Sequence, residues 1–295
     1  MKRRALIAAL AIASAPFAAW AEGYPDARRV LSLGGSITEI VYALGQGDRL
    51  IARDTTASYP PEVLALPDVG YVRALSPEGV LSVAPELIIA DEGAGPPEAI
   101  SVLKGAGIPY VEVPESYEPE GIANKITIVA DALGMSDHGA ALAAEVKDGI
   151  AAVQADAAAL ETKKKVMFIL SLQGGRIMAG GQGSSADAII GLAGGENAIT
   201  GFDGYKQVTD EAVTAAAPDV ILMMSRGDDA ADAAANGGSG HGGARDALLA
   251  MPAIQTTPAG QNGQVVMMDG LLLLGFGPRT ARAARELHQA LYGAE

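Results

Sequence analysis

Two stretches of this chain align on each other without a gap, and that likeness limits the fold more than any other feature. Leu75-Ser-Pro-Glu-Gly-Val-Leu-Ser-Val-Ala-Pro-Glu-Leu-Ile-Ile89 lies over Val208-Thr-Asp-Glu-Ala-Val-Thr-Ala-Ala-Ala-Pro-Asp-Val-Ile-Leu222, with five identities in fifteen. Glu78 pairs with Glu211, Val80 with Val213, and Ala84-Pro85 with Ala217-Pro218. Each copy reads as a hydroxyl N-cap, a helix with glutamate at its second position, a proline stop and a buried strand. Helix–proline–strand units can converge on one pattern, but caps in register favour duplication. A chain that repeats such a unit is built from two similar lobes.

Between the copies lies a different kind of segment. From Asp137 to Glu161 there is no proline, and the only glycines are Gly139 and Gly149. Leu142, Val146, Ile150, Val153, Ala157 and Leu160 step by four, four, three, four and three, which is one helical stripe. Such a helix is roughly 35 Å long at 1.5 Å per residue, enough to cross a domain. Lys163-Lys164-Lys165 suits its C-terminal end. It reads as a rigid connector over 137–162, which predicts little hinge motion.

On both sides, short apolar runs alternate with helical ones. Strands are expected at Arg29–Leu33, Leu50–Arg53, Leu87–Ala90 and Ile108–Val113, with helices from Ser36, Pro77, Pro97 and Glu120. Ser36-Ile37-Thr38-Glu39 has the form of a capping box. After the connector, strands are expected at Val166–Ser171, Arg176–Ala179, Val220–Met224 and Val265–Met268, and helices at Ser184–Leu192, Ala244–Ala250 and Arg279–Leu291. Ala230–Gly243, rich in alanine and glycine, reads as a surface loop. The expected fold is α/β: two lobes with mainly parallel sheets, 22–136 and 163–295, joined by one long rigid helix, with a ligand cleft between them.

The first residues bear on location. Lys2, Arg3 and Arg4 precede an apolar run from Ala5 to Ala13, and Ala19-Trp20-Ala21 has the form of a cleavage site. Residues 1–21 therefore read as a secretory signal peptide, and the periplasm as the destination. Its removal takes three basic and no acidic residues, so the formal charge moves from −14 to −17. That sign disfavours a nucleic-acid partner, which needs a basic face. The chain has no cysteine, which excludes disulfides, thiolate metal sites and thiol catalysis. Its core alone must hold it together.

Just ahead of the first repeat stands Gly70-Tyr71-Val72-Arg73-Ala74-Leu75-Ser76-Pro77-Glu78. Ser76 is a good N-cap and Pro77 suits the first helical position. In an extended segment Tyr71 and Arg73 point to one side. A phenol beside a guanidinium is a plausible ligand for ferric iron, since the cation stabilises phenolate. The plainer reading is an aromatic on a loop with an arginine alongside, and the spacing alone favours it, since Tyr-x-Arg is common.

With Leu33-Gly34-Gly35-Ser36-Ile37-Thr38-Glu39-Ile40, Ala193-Gly194-Gly195-Glu196-Asn197-Ala198, Gly204-Tyr205-Lys206 and Gly275-Phe276-Gly277-Pro278-Arg279 added to that motif, the sequence resembles the periplasmic haem-binding proteins of bacterial haem ABC importers. These belong to the helix-linked class of substrate-binding proteins, which also carries cobalamin and siderophores. The resemblance implies that Tyr71 is the axial ligand to ferric haem iron, with Arg73 near its phenolate. It implies a basic residue of the second lobe on the propionates, for which Arg226 is the matching choice. It also implies that Glu78 and Glu211 dock onto an inner-membrane ABC permease dimer. Charge compensation at a helix start is the plainer role for both acids and is compatible with docking. The cargo would be haem b, the protein a monomer, and an outer-membrane haem receptor a more distant partner. Some relatives use a second-lobe histidine to hold two stacked haems. Ser171-Leu172-Gln173-Gly174-Gly175 has none, so a single haem is expected. His138, His241 and His288 read as surface residues. A cobalamin or ferric-siderophore binder is the alternative within the class. An exported enzyme is the alternative outside it, but the sequence has no Gly-x-Ser-x-Gly and no phosphate-loop lysine.

Overall fold

The computed structural model describes residues 23–225 and 240–293. Arg226 and the signal-peptide residues lie outside them. The first lobe contains β1 (Val30–Leu33), α1 (Gly35–Ala43), β2 (Leu50–Ala52), α2 (Pro77–Ser82), β3 (Leu87–Asp91), α3 (Pro97–Lys104), β4 (Tyr110–Val113) and α4 (Pro119–Leu133). Its four strands pair in the order β2-β1-β3-β4, all parallel. β1 and β3 are central and sealed on both faces, which is why Val30–Leu33 and Leu87–Ala90 are buried without alternation.

The helix α5 (Ser136–Ala158) follows. Beyond it come β5 (Lys165–Gln173), β6 (Arg176–Gly180), α6 (Ser185–Leu192), β7 (Glu196–Asn197), β8 (Tyr205–Val208), α7 (Asp210–Ala216), β9 (Val220–Ser225), α8 (Gly240–Leu249), α9 (Pro252–Gln255), α10 (Pro258–Asn262), β10 (Val265–Asp269), α11 (Gly270–Leu274) and α12 (Thr280–Tyr292). The second sheet runs β10-β9-β5-β6-β8, with β7 added beside β5. Its β10-β9-β5 half is parallel, and β6 and β8 join antiparallel through the turn at Gly174 and Gly175, both at positive φ. The parallel order β5-β9-β10 repeats β1-β3-β4 of the first lobe.

The duplicated stretch behaves alike in both places. The Ser76 hydroxyl accepts from Gly79 N–H and the Thr209 hydroxyl from Ala212 N–H, each at 3.3 Å. Ala84 and Ala217 end the two helices at φ 45° and 43°. A left-handed alanine costs about 1–2 kcal/mol, so its recurrence at the aligned position, before the aligned proline, is strong support for duplication.

Two expectations are corrected. α8 begins at Gly240, inside the stretch read as a loop; residues 230–239 of that stretch lie outside the described ones. Glycines disfavour a helix there, but tertiary contacts override them: Leu248 is fully buried and Arg245 Nη2 donates to the Gly263 carbonyl at 2.9 Å. The Ser36–Glu39 capping box is also absent. α1 starts one residue earlier, with Gly34 as its uncapped N-cap. Asp54 and Thr56 from the loop after β2 supply the acceptors instead, taking Gly34 N–H and Gly35 N–H at 2.9 Å each.

One apolar core passes through both lobes. It takes Val30, Ile40 and Leu87 of the first lobe, Ile126 of α4, Val146, Ile150 and Val153 of α5, Leu287 of α12, and Phe168 and Leu222 of the second sheet. The two glycines of α5 mark its closest approaches: Gly139 lies on Ala130 of α4, and a Cβ on Gly149 would come within 2.8 Å of the Ala281 Cβ on α12. Each glycine docks the long helix on one lobe. Alanine gains about 1 kcal/mol of helix propensity over glycine, whereas forcing a methyl into a filled contact costs about 1–3 kcal/mol. Gly139→Ala and Gly149→Ala are therefore each expected to lower the urea midpoint, by about 1 kcal/mol in net stability. A raised midpoint would show that the helices are not in this contact.

Candidate ligand-binding cleft

The carboxyl ends of both sheets face one another. At the end of β1, Gly35 packs on Leu271 of α11, which directly follows β10. Ligands of parallel α/β sheets bind beyond such strand ends.

Tyr71 stands here, on a turn rather than on the extended segment the sequence suggested: Ala74 N–H donates to the Tyr71 carbonyl at 2.8 Å. Gly70, at φ 102°, starts the turn, and its N–H donates to Asp68 at 2.7 Å. Backbone hydrogen bonds then tie the turn to both neighbouring loops, Thr55 N–H to Gly70 carbonyl at 3.0 Å, Gly95 N–H to Val72 carbonyl at 2.9 Å, and Leu75 N–H to Gly95 carbonyl at 2.8 Å. Val72 and Leu75 point into the core, and Tyr71, 48% exposed, and Arg73 point out. Val72 between them is buried, so the Tyr71 and Arg73 side chains both leave the core.

Arg73 reaches over Gly93. A Cβ on that glycine would lie 3.8 Å from the Arg73 Nη2 and 3.9 Å from the Glu115 Oε2. Tyr117 is close by. Burial first, and Glu115 second, push its phenol up to about 12, against the pull of Arg73. The Tyr117 ring packs on Phe276 of the second lobe, centroids 4.8 Å apart. On that lobe the Tyr205 hydroxyl is 2.7 Å from Ser185 Oγ and accepts from Ala186 N–H at 3.3 Å, which fixes it at the start of α6.

Beneath this floor lies a polar group that sequence reasoning missed. Lys125 of α4 is 1% exposed, with Nζ 3.3 Å from Ser36 Oγ and 3.7 Å from Asp91 Oδ1. Ser36 Oγ donates to Asp91 Oδ2 at 3.5 Å. Asp91 ends β3 against Gly34, where a Cβ would collide with its carboxylate. Burial pushes the Asp91 carboxyl up to about 6; Lys125 pulls it down, Glu115 and Asp54 add to the rise, and the Ser36 hydrogen bond lowers it. The one legible signal was a lysine on the apolar face of α4, between Ile122, Ile126 and Val129.

Glu78 and Glu211 are exposed at the starts of α2 and α7, in separate lobes and away from any ion pair among the described residues. Their own backbone N–H groups, and then Ser76 and Thr209, hold both carboxyls below the usual range. His138 is exposed, whereas His288 is half-buried with Nδ1 3.0 Å from the Ala193 carbonyl, which corrects its assignment to the surface.

Two sheets that share a cleft at their carboxyl ends, joined by one long helix, define a two-lobed binding protein. Residues 30–271 match the family model described as Periplasmic binding protein, and the chain belongs to that family. Among solved structures, the periplasmic haem-binding protein BhuT in complex with two haems is 42% identical, with 89% of this chain and 97% of that one covered at a TM-score of 0.79. The apo periplasmic haem-binding protein RhuT from Roseiflexus sp. RS-1 is 38% identical over 90% and 98%, at a TM-score of 0.82. The vitamin B12-binding protein of Vibrio parahaemolyticus is 28% identical over 66% of this chain and 70% of its own length. The chain spans 63% and 70% of the first two curated relatives it matches.

The buried carboxyl of Asp91 gives a pH dependence. Its folded value, about 6, exceeds the ordinary 3.8, so the folded state holds this proton more tightly than the unfolded one. The contribution of Asp91 to stability is then largest below the ordinary value and is lost as pH rises through the folded one. Asp91→Asn should flatten the unfolding free energy between those two values, measured by urea titration at several pH values. An unchanged slope would place that proton elsewhere.

Proposed function

We infer that this chain is a periplasmic protein that binds ferric haem between lobes 22–136 and 163–295 and delivers it to the permease of an inner-membrane ABC importer. The carrying observation is Tyr71: nearly half exposed, on a turn tied by hydrogen bonds to both neighbouring loops, with the exposed Arg73 two residues on and strand ends beneath. A phenolate ligand is a hard anionic donor suited to ferric iron, and a nearby guanidinium favours the ionised form. The likeness to two solved haem-binding proteins at 42% and 38% identity supports haem over cobalamin, for which the relative is 28% identical. Arg226, the residue after β9, is the proposed propionate partner and lies outside the described residues. Residues 1–21 are proposed as the cleaved leader. The expected cargo is one haem b per monomer, and binding and release rather than catalysis is the expected activity.

Adding ferric haem to the purified protein should give a high-spin ferric spectrum with a tyrosinate charge-transfer band. Tyr71→Phe should remove that band and weaken binding at least tenfold, with the fold intact by circular dichroism. An unchanged spectrum would end the assignment. Saturation by cobalamin, with no haem spectrum, would favour the second reading.

Delivery has its own test. Glu78→Arg and Glu211→Arg should each leave the haem titration unchanged and lower haem-dependent stimulation of the transporter's ATPase. The double substitution should lower it further, and the native interaction should weaken as salt rises. Loss of haem binding in these variants would assign the acids to the pocket or the fold.

A further inference from the structure

The stretch Gly275-Phe276-Gly277-Pro278-Arg279 links α11 to α12 and meets the first lobe at Phe276, Gly277 and Arg279. Phe276 is buried at φ 48°, a backbone conformation rare for an aromatic residue, and its ring meets Tyr117 of the first lobe. At Gly277 a Cβ would sit 3.4 Å from Ser36 Cβ and 3.6 Å from Glu39 Oε2. Arg279 then makes a forked ion pair with Glu39 of α1: Nε donates to Oε2 at 3.0 Å, and Nη2 to Oε1. The guanidinium carbon stands 3.7 Å from the centre of the Tyr59 ring, also first-lobe, with the second-lobe Asp269 at 4.0 Å. The Glu39 side chain is 5% exposed.

Among the described residues this is the only ion pair between the two lobes proper. The apolar core that also joins the lobes is non-directional, and packed helices can slide by small shear. A buried fork accepts one orientation only. A cavity of about 540 Å³ opens beside the pair, lined by Tyr42, Tyr59, Glu62 and Arg279, so on that side no further packing backs the fork.

We propose that Gly275–Arg279 is a clasp between the lobes, and that Arg279, through Glu39, is the positioning residue that sets their angle and so the dissociation rate of the cargo. The dissociation half of this proposal rests on the haem reading; the angle half does not. The chain has no cysteine, so Val102→Cys on α3 and Ala212→Cys on α7, both exposed, accept spin labels cleanly, one per lobe. In this labelled background, pulsed electron-spin measurements should give one narrow distance distribution. Arg279→Lys keeps the charge and loses the fork; it should broaden the distribution and speed ferric haem dissociation about tenfold, with association changed less than twofold. Glu39→Gln with Arg279→Gln removes both charges together and avoids the lone buried charge left by either single change. It should stay folded and show the same broadening. Narrow, unshifted distributions in both folded variants would overturn the clasp, as would an unchanged dissociation rate despite broadening. Failure of the unsubstituted protein to bind haem would end the haem reading, while the distance measurement would still decide the angle.

Discussion

The two lobes share a single apolar core, and the rest of the molecule depends on it. α5 is part of that core rather than a tether beside it, since Val146, Ile150 and Val153 belong to it and the helix packs on α4 of one lobe and on α6 and α12 of the other. With no disulfide to brace the chain, burial must do this work, at about 25 cal/mol for each Å² of apolar surface withdrawn from water. Gly139 and Gly149 let the helix backbone come close enough for the core to be continuous. The cleft follows as a gap between two sheet ends that this core brings opposite one another.

Polar groups are placed against this apolar frame at the strand ends. Asp54 and Thr56 take the free N–H groups of α1, which leaves Ser36 to meet Lys125 and Asp91, and Glu39 to meet Arg279. A buried lysine, Lys125, and a half-buried arginine, Arg279, each tolerate this position because a carboxylate and further partners surround them. The floor of the cleft is thus charged underneath, and its walls carry the aromatic residues Tyr117, Phe276 and Tyr205.

What the sequence disclosed was local. The repeat, the Ser76 and Thr209 caps, the alanine-rich helix and the two central strands of the first lobe depend on neighbours within about four residues, and periodicity records such neighbours. Tyr71 and Arg73 were visible for the same reason, although their backbone turns where an extended segment was expected. The pairings that escaped are long in sequence. Ser36 and Glu39 have the spacing of a capping box, yet their partners are 89 and 240 positions away. Lys125 and Asp91 come together only once β3 and α4 are stacked, and no local pattern encodes that stacking.

The place of α12 in the shared core has a consequence for how the protein is made. Chains are synthesised from the N-terminus, and domains ordinarily fold as they emerge. Here α5 packs on α12, whose Leu287 and Leu291 are among the last core residues to appear. The connecting helix therefore cannot be fully covered while the ribosome is still at work.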